Sequence, residues 1–253
     1  MDLQLRGRTA LVTGASRGIG LAVVKAFVDE GVKVVAGARN VDGDLASLPV
    51  QAVAVDLSTP DGPARLAEAA GDVDILVNNV GAVHPRPGGS ASVTDDDWLA
   101  TFNLDLMSAV RQTRAALPSL IERGGAIVTV CSVNATLPDP LVIDYSAAKA
   151  ACLSFFKSLS KEVGPKGVRV NTVSPGPVAT DLWLGKGGVA ETVAGAAGTA
   201  PDRIEAMAAG DSVTGRFTRP DEVAALVVFL ASTRVGNLTG ADIIIDGGLT
   251  RSL

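Results

Sequence analysis

A tyrosine and a lysine stand one helical turn apart in the stretch DYSAAK at 144–149, and Tyr145 is the only tyrosine among 253 residues. Residues at positions i and i+4 lie on one face of a helix, so the phenol of Tyr145 and the ammonium of Lys149 are neighbours. A phenol has an ordinary pKa of about 10. A nearby ammonium favours the phenolate, which predicts a lowered pKa and a usable general acid or base. The alternative is simple packing of the ring against the lysine stem, and for an isolated pair that is the better interpretation.

Ser132 favours the catalytic interpretation, because it follows the apolar strand pattern at 126–130 and precedes Tyr145 by thirteen residues. Ligands bind at the carboxyl ends of strands in open α/β sheets. Apolar positions such as Cys152 and Phe156 continue the helix face that carries Tyr145 and Lys149. The pair is therefore predicted to face inward at the edge of a sheet.

A glycine-rich turn, TGASRGIG at 13–20, lies between an apolar strand pattern and a helical pattern. Gly14 permits a backbone shape that other residues avoid, Gly18 leaves room for a ligand, and Gly20 allows close packing of helix and strand. The helix that follows offers free N–H groups to a pyrophosphate. The turn predicts nucleotide binding, although its spacing differs from the common G-x-G-x-x-G and a plain tight turn is the alternative.

The end of the second strand indicates which dinucleotide binds. An acidic residue at this point would bind a ribose 2′-hydroxyl and repel a 2′-phosphate. The sequence has Ala38 there, followed by Arg39, and Arg17 lies inside the glycine turn. Two guanidinium groups match phosphate geometry, which predicts NADP(H). The alternative is that both arginines are solvated surface charges.

Taken together, these motifs resemble the short-chain dehydrogenase/reductase family, and within it 3-oxoacyl-[acyl carrier protein] reductase-like members. The matching segments run in order along nearly the whole chain: TGASRGIG at 13–20, NNVG at 78–81, Asn103, Ser132, YSAAK at 145–149 and PGPVAT at 175–180. The resemblance implies that Tyr145 exchanges a proton with the substrate oxygen while Ser132 hydrogen-bonds that oxygen. It further implies that Lys149 holds the nicotinamide ribose and depresses the tyrosine pKa, and that Asn103 holds water linking Lys149 to solvent.

The resemblance also implies a cofactor cleft formed by strand ends and the turns that follow them. Asp56 would face the adenine amino group, and Thr180 would lie beside the nicotinamide amide. Val80 stands where the family usually has alanine, which adds volume near the cofactor. The implied cofactor-binding residues are Gly14, Ser16, Arg17, Gly18, Ile19, Gly20, Arg39, Asp56, Leu57, Asn78, Asn79, Gly81, Tyr145, Lys149, Pro175, Gly176, Val178 and Thr180.

Short β-branched runs alternate with helical patterns, which predicts an α/β fold with a parallel sheet. The expected architecture is a single-domain Rossmann-type, doubly wound sheet over 1–253, with about seven strands flanked by helices. Strands are predicted at 9–13, 32–37, 51–55, 74–77, 126–130, 168–173 and 241–245, and helices at 19–30, 61–70, 95–122, 143–163 and 220–231. The Gly- and Ala-rich segment 185–211 does not follow this alternation of strand and helix patterns and is predicted to be a mobile substrate loop.

Composition excludes several classes of function. The net charge is −5 and no basic run is present, so nucleic acid is not expected as a partner. No apolar run reaches about 18 residues, so no membrane span is expected. Cys131 and Cys152 are interpreted as buried thiols in a cytoplasmic protein. His84 is the only histidine, so no metal is expected, and this residue is placed in a loop lining the substrate pocket.

The favoured function is an NADP(H)-dependent oxidoreductase that interconverts a carbonyl and a secondary alcohol. A non-catalytic NADP-binding regulatory protein and a sugar-nucleotide epimerase or dehydratase are the alternatives. The segments 84–93, 133–144 and 185–211 are expected to shape the substrate pocket, whose ligand (a 3-oxoacyl thioester, small ketone, steroid or polyol) is left open.

The resemblance also implies a homo-oligomer, with a tetramer favoured, that assembles through the helical stretches 101–121 and 145–163. Four apolar positions on the first stretch are candidates to face a partner, with core burial as the alternative: Leu104, Met107, Val110 and Leu117.

Overall fold

A parallel sheet organises the molecule in a computed structural model that describes residues 1–251. Within these residues, seven strands pair in the order β3-β2-β1-β4-β5-β6-β7, and every pairing is parallel. The strands are β1 (Thr9–Thr13), β2 (Lys33–Ala38), β3 (Gln51–Ala54), β4 (Ile75–Asn78), β5 (Ala126–Val130), β6 (Arg169–Pro175) and β7 (Asp242–Ile245). The strand order reverses between β1 and β4. Ligands bind outside the carboxyl ends of strands at such a point.

Helices cover both faces of the sheet. They are α1 (Gly18–Asp29), α2 (Gly62–Ala70), α3 (Asp95–Phe102), α4 (Ser108–Arg123), α5 (Ile143–Val163), α6 (Asp181–Leu184), α7 (Val189–Ala197), α8 (Pro201–Gly210) and α9 (Pro220–Ala231). Along β1, Ala10 and Val12 pack with α1 and α9, whereas Leu11 packs with α2, α4 and α5. Two apolar cores therefore sandwich one sheet, as expected for parallel strands covered on both sides.

The predicted α/β fold is confirmed, and the expected strands lie within about two residues of the observed ones. Cys131 and Cys152 are both free and buried, in agreement with their interpretation as core thiols. In the described part of the chain, no helix has the length and apolar character needed to cross a membrane.

The long helix predicted at 95–122 is interrupted by a π-helical turn at Asn103–Met107. The helix starts as a capping box, in which the Thr94 hydroxyl accepts from the Asp97 N–H and the Asp97 carboxylate accepts from the Thr94 N–H. After the π turn, α4 continues to Arg123. Such insertions rotate the following residues about the helix axis and frequently occur at functional sites. Here the turn carries Asp105, which is 2% exposed.

The segment 185–211 is mostly helical, which corrects the interpretation of this stretch as a loop. It contains α7 and α8, and α6 precedes it. Alanine has the highest helix propensity, and Pro201 occupies the first position of α8, where proline is well tolerated. Val189, Ala190 and Ala194 of α7 are buried. Its mobility stays a prediction.

Candidate functional site

A cleft of about 1080 Å³ lies at the carboxyl ends of the strands. It extends from Arg39 and Asp56, past the glycine turn, to Tyr145 and onward to Trp183. Sixteen of the predicted cofactor-binding residues line it: Gly14, Ser16, Arg17, Gly18, Ile19, Arg39, Asp56, Leu57, Asn79, Gly81, Tyr145, Lys149, Pro175, Gly176, Val178 and Thr180. The structure therefore brings the separate sequence motifs to the lining of one cavity.

The glycine turn has the geometry of an anion-binding loop. Gly14 and Gly18 have positive φ angles of 64° and 55°. The Asn79 side-chain amide donates to the carbonyls of Thr13 and Gly14, at 3.2 and 3.1 Å, and so ties the turn to the end of β4. No side chain in the described residues caps the N-terminus of α1. Its first N–H groups therefore have no side-chain acceptor, and Arg17, Gly18 and Ile19 at this helix start line the cleft.

Two predicted cofactor residues, Gly20 and Asn78, do not line the cavity. Gly20 instead packs against the turn itself, since a Cβ there would lie 2.1 Å from the Gly14 carbonyl oxygen. Asn78 is buried, and its amide donates to the hydroxyls of Thr113 and Thr129 at 3.0 and 3.4 Å. Both residues therefore support the shape of the cleft from behind.

The part of the cleft beside the ends of β2 and β3, where the adenosine of a dinucleotide is expected, is called the adenosine end. It is lined by two exposed guanidinium groups. Arg17 and Arg39 form no ion pair with any residue that the structure describes, and both border the cavity. Ala38 ends β2 without a carboxylate. Asp56 is exposed, and hydrogen bonds from the Ser58 N–H and hydroxyl lower its pKa. This end of the cleft therefore fits a dinucleotide whose ribose carries a phosphate.

Ser132, Tyr145 and Lys149 meet at the other end of the same cavity. Ser132 follows β5, is 7% exposed and exchanges hydrogen bonds of 3.2 Å with Asn134. The Lys149 Nζ lies 5.5 Å from the centre of the Tyr145 ring and 3.5 Å from the Val130 carbonyl. Tyr145 and Lys149 both lie on α5, which begins at Ile143, so they are one helical turn apart as predicted. A hydroxyl, a phenol and an ammonium thus converge where a ligand can reach them.

The expectation that Tyr145 has a lowered pKa is wrong for this structure. Burial raises the pKa of Tyr145, and although Lys149 opposes that effect, Asp105 adds to it, so the net direction is upward. Burial disfavours the charge on Lys149 as well, but attraction to Tyr145 and Asp105 outweighs burial and raises the Lys149 pKa. The sequence showed the ammonium beside the phenol but showed neither the desolvation nor the second charge.

Asp105 is the site residue that the sequence reasoning missed. Its Oδ1 lies 3.6 Å from the Lys149 Nζ, and the two side chains are 1% and 5% exposed. Burial outweighs the attraction to Lys149 and raises the pKa of Asp105 to about 6. The available signal was an acidic residue inside the apolar run FNLDL, two positions after Asn103. Such a residue is rarely buried without a partner.

The Asn103 side chain does not face Lys149. Its amide donates to the Ser58 carbonyl at 2.8 Å, and its carbonyl oxygen accepts from Arg111 at 2.7 Å. The π turn that begins at Asn103 directs Asp105, not Asn103, to the lysine. The water-holding role of Asn103 therefore stays a prediction that no side-chain contact with Lys149 supports.

A partly buried ion pair attaches the loop after β4 to the start of α5. Arg86 donates to the carboxylates of Asp144 at 2.6 Å and Asp97 at 3.0 Å, and Thr101 donates to Asp144 at 2.8 Å. Burial would raise the pKa of Asp144, but hydrogen bonds from Arg86 and Thr101 reverse that effect and lower it. Because Asp144 immediately precedes Tyr145, this pair fixes the first turn of the helix that carries the phenol. The sequence contained no local signal for it.

The remaining part of the cleft has a mainly apolar lining. The predicted segments 133–144 and 185–211 both contribute to it, but 84–93 does not, and His84 is exposed outside the cavity. The apolar residues that line this part of the cleft include Val133, Leu137, Leu141, Trp183, Val193, Ile204 and Met207. Asn134, Asp139 and Asp211 are polar residues that also line this cavity. Among residues 1–251, no three His, Cys, Asp or Glu side chains are grouped in a way that could hold a metal ion.

Comparison with known proteins finds similarity to reductases and dehydrogenases. A family model described as enoyl-(acyl carrier protein) reductase matches residues 14–250. The D-threitol dehydrogenase of Mycolicibacterium smegmatis is 34% identical over 98% of this chain and 95% of its own. The 3-oxoacyl-[acyl-carrier-protein] reductase of Vibrio harveyi is 32% identical over 98% of this chain and 99% of its own. Among solved structures, L-sorbose reductase from Gluconobacter frateurii, crystallised with NADPH and L-sorbose, matches with a TM-score of 0.90 and 33% identity over the whole of both chains.

Proposed function

The chain belongs to the short-chain dehydrogenase/reductase family of oxidoreductases, and from that premise we propose that it interconverts a carbonyl and a secondary alcohol using NADP(H). The observation that carries the proposal is the convergence of Ser132, Tyr145 and Lys149 in the cavity that the glycine turn also lines. When bound, the nicotinamide supplies or accepts the hydride. The protein supplies position and proton transfer.

Tyr145 is proposed as the proton-transferring group. Its raised pKa keeps the phenol protonated at neutral pH, which suits donation to a carbonyl oxygen that gains negative charge during reduction. Ser132 follows β5 and is proposed to donate a hydrogen bond to the same oxygen. Lys149 keeps a positive charge next to the phenol and stabilises the phenolate that remains after donation.

The preference for NADP(H) is proposed from the adenosine end of the cleft. Arg17 and Arg39 line the cavity as exposed guanidinium groups, and the β2 end offers Ala38 in place of a carboxylate. A 2′-phosphate would gain charge-assisted hydrogen bonds there that a 2′-hydroxyl cannot return. The NADPH in the crystallised L-sorbose reductase supports the same choice.

A homo-oligomer is also proposed, but fewer of the four apolar positions predicted from the sequence stay candidates for its interface. Leu104 lines the cleft, and Leu117 packs in part against the core formed with α2, α4 and α5, which favours core burial over a partner contact for these two residues. Met107 and Val110 are half-buried and stay candidates for an interface on α4 and the turn before it.

The test is a substrate panel read through nicotinamide absorbance in both directions. The panel contains ketoses and polyols, small ketones, and 3-oxoacyl thioesters, each offered with NADPH and NADH. Tyr145→Phe keeps the ring and removes the proton donor, so we expect turnover to fall by about 10²–10⁴-fold while NADPH binding stays near normal.

Serine variants supply a matched control. Ser132→Ala is expected to lower turnover. Ser154→Ala, at an exposed position on α5 outside the cleft lining, is expected to leave it unchanged. Binding of NADPH without turnover on any substrate would favour a regulatory protein, and normal turnover in Tyr145→Phe would overturn the assigned proton donor.

A further inference from the structure

We propose that Asp105 is a positioning residue that holds the ammonium of Lys149 and sets how strongly this charge acts on Tyr145. The consequence for turnover rests on the proposed function. The electrostatic coupling among the three side chains does not, and it can be measured without any substrate.

The local backbone is shaped around the Asp105–Lys149 pair. The π turn at Asn103–Met107 places Asp105 inside the protein, where its Oδ1 accepts the Ala82 N–H at 3.2 Å and lies 3.6 Å from the Lys149 Nζ. A Cβ on Gly81 would lie 2.7 Å from this oxygen and 3.2 Å from the Nζ. A side chain at position 81 would therefore collide with both charged groups.

Two opposite charges thus act on the Tyr145 phenol. Lys149 favours the phenolate, whereas the Asp105 carboxylate disfavours it. Asp105 also provides an acceptor for the Lys149 ammonium besides the Val130 carbonyl, so it limits how closely the ammonium approaches the phenol. A neutral residue of the same shape would remove both effects, and the phenol would ionise more readily.

Other charged and titratable groups surround the three side chains. Asp144 on α5 disfavours the charge on Asp105, while Cys131 after β5 and Cys152 on α5 interact with Tyr145, Lys149 or Asp105. With Asp105 half-ionised near pH 6, the carboxylate is charged throughout the alkaline range in which a phenol titrates. Removing the charge of Asp105 therefore changes the electrostatic environment of Tyr145 by the same amount throughout that range.

The single tyrosine makes the coupling directly measurable. Ultraviolet absorbance of the phenolate, followed during an alkaline titration, reports Tyr145 alone because the chain contains no other tyrosine. Asp105→Asn keeps the size and an acceptor for the Ala82 N–H. We expect the titration midpoint to move to lower pH by about half a unit or more, a roughly three-fold change in the ionisation equilibrium. Circular dichroism recorded at each pH verifies that the protein is still folded.

Asp74→Asn is the matched control. Asp74 is a buried carboxylate, 2% exposed, and it is paired with Arg8 and Arg123. It lies just before β4, at the amino ends of the strands, whereas the cleft lies at their carboxyl ends. Its variant is expected to lose stability without moving the midpoint. If Asp105→Asn does not fold, Asp105→Ser, which keeps a hydroxyl acceptor, is titrated in its place.

The outcomes separate this proposal from the proposed function. An unchanged or higher midpoint in the folded Asp105 variant overturns the positioning role, whether or not the protein turns over a substrate. A lower midpoint in a protein without turnover keeps the coupling and removes the enzyme assignment. With turnover, the alkaline limb of the kcat/KM profile for carbonyl reduction, in which Tyr145 must be protonated, is expected to shift in the same direction as the midpoint.

Discussion

Replacing Gly20 with alanine is expected to damage the nucleotide end of the cleft. A Cβ at this position would lie 2.1 Å from the Gly14 carbonyl oxygen and 2.5 Å from the Asn79 Nδ2. Carbon and oxygen atoms normally approach to about 3.3 Å. The backbone of the turn and the start of α1 must therefore separate by roughly 1 Å, judged from that contact distance.

The free-energy cost follows from what this separation breaks. Overpacking a tight site costs about 1–3 kcal/mol. Movement of the Gly14 carbonyl also strains its 3.1 Å hydrogen bond from Asn79, and such a bond is worth about 0.5–1.5 kcal/mol. Alanine recovers about 0.5–1 kcal/mol of backbone entropy. A net loss of about 2 kcal/mol lowers the Tm by about 4–8 °C for a domain of this size.

Thermal unfolding and NADPH titration measure the two consequences. We expect a lower Tm for Gly20→Ala together with NADPH binding at least about tenfold weaker, the affinity change produced by 1.4 kcal/mol. Gly195→Ala is the control, because Gly195 lies within α7 and its Cβ would meet no atom within 4 Å. That variant is expected to keep or slightly raise the Tm. Wild-type Tm and NADPH affinity in Gly20→Ala would refute the reasoning.

Three further predictions concern the cofactor, the cover of the cleft and the assembly. The wild type is expected to prefer NADPH over NADH in kcat/KM, and Arg17→Ala/Arg39→Ala is expected to lose most of that preference; an NADH-preferring wild type would contradict it. Hydrogen exchange in 185–211 is expected to slow when cofactor and substrate bind, since closure of the two helices would exclude water from the hydride step, and equal protection with and without ligands would remove the support for a lid. Light scattering at micromolar concentration is expected to give a closed oligomer, with a tetramer formed through 101–121 and 145–163 favoured, and a monomeric mass would oppose this.

The sequence alone was sufficient for the features that depend on short-range geometry. The glycine turn at 13–20 follows a strand and opens a helix, and five of its residues line the cleft: Gly14, Ser16, Arg17, Gly18 and Ile19. The spacing of Tyr145 and Lys149 needs only the pitch of α5 to place them together. The strands were found because buried parallel strands are short and β-branched, and their alternation with helices led to the doubly wound sheet.

The tertiary structure alone decided which groups surround the reactive side chains. Asp105 contacts Lys149 only because a π turn interrupts a helix that periodicity predicts to be continuous. Asn103 is engaged with Ser58 and Arg111 for the same reason. The pKa of Tyr145 moves upward because burial, a quantity that no local pattern contains, outweighs the neighbouring ammonium. These features depend on contacts between residues far apart in the chain and on the exclusion of water, so they exist only once the chain has packed.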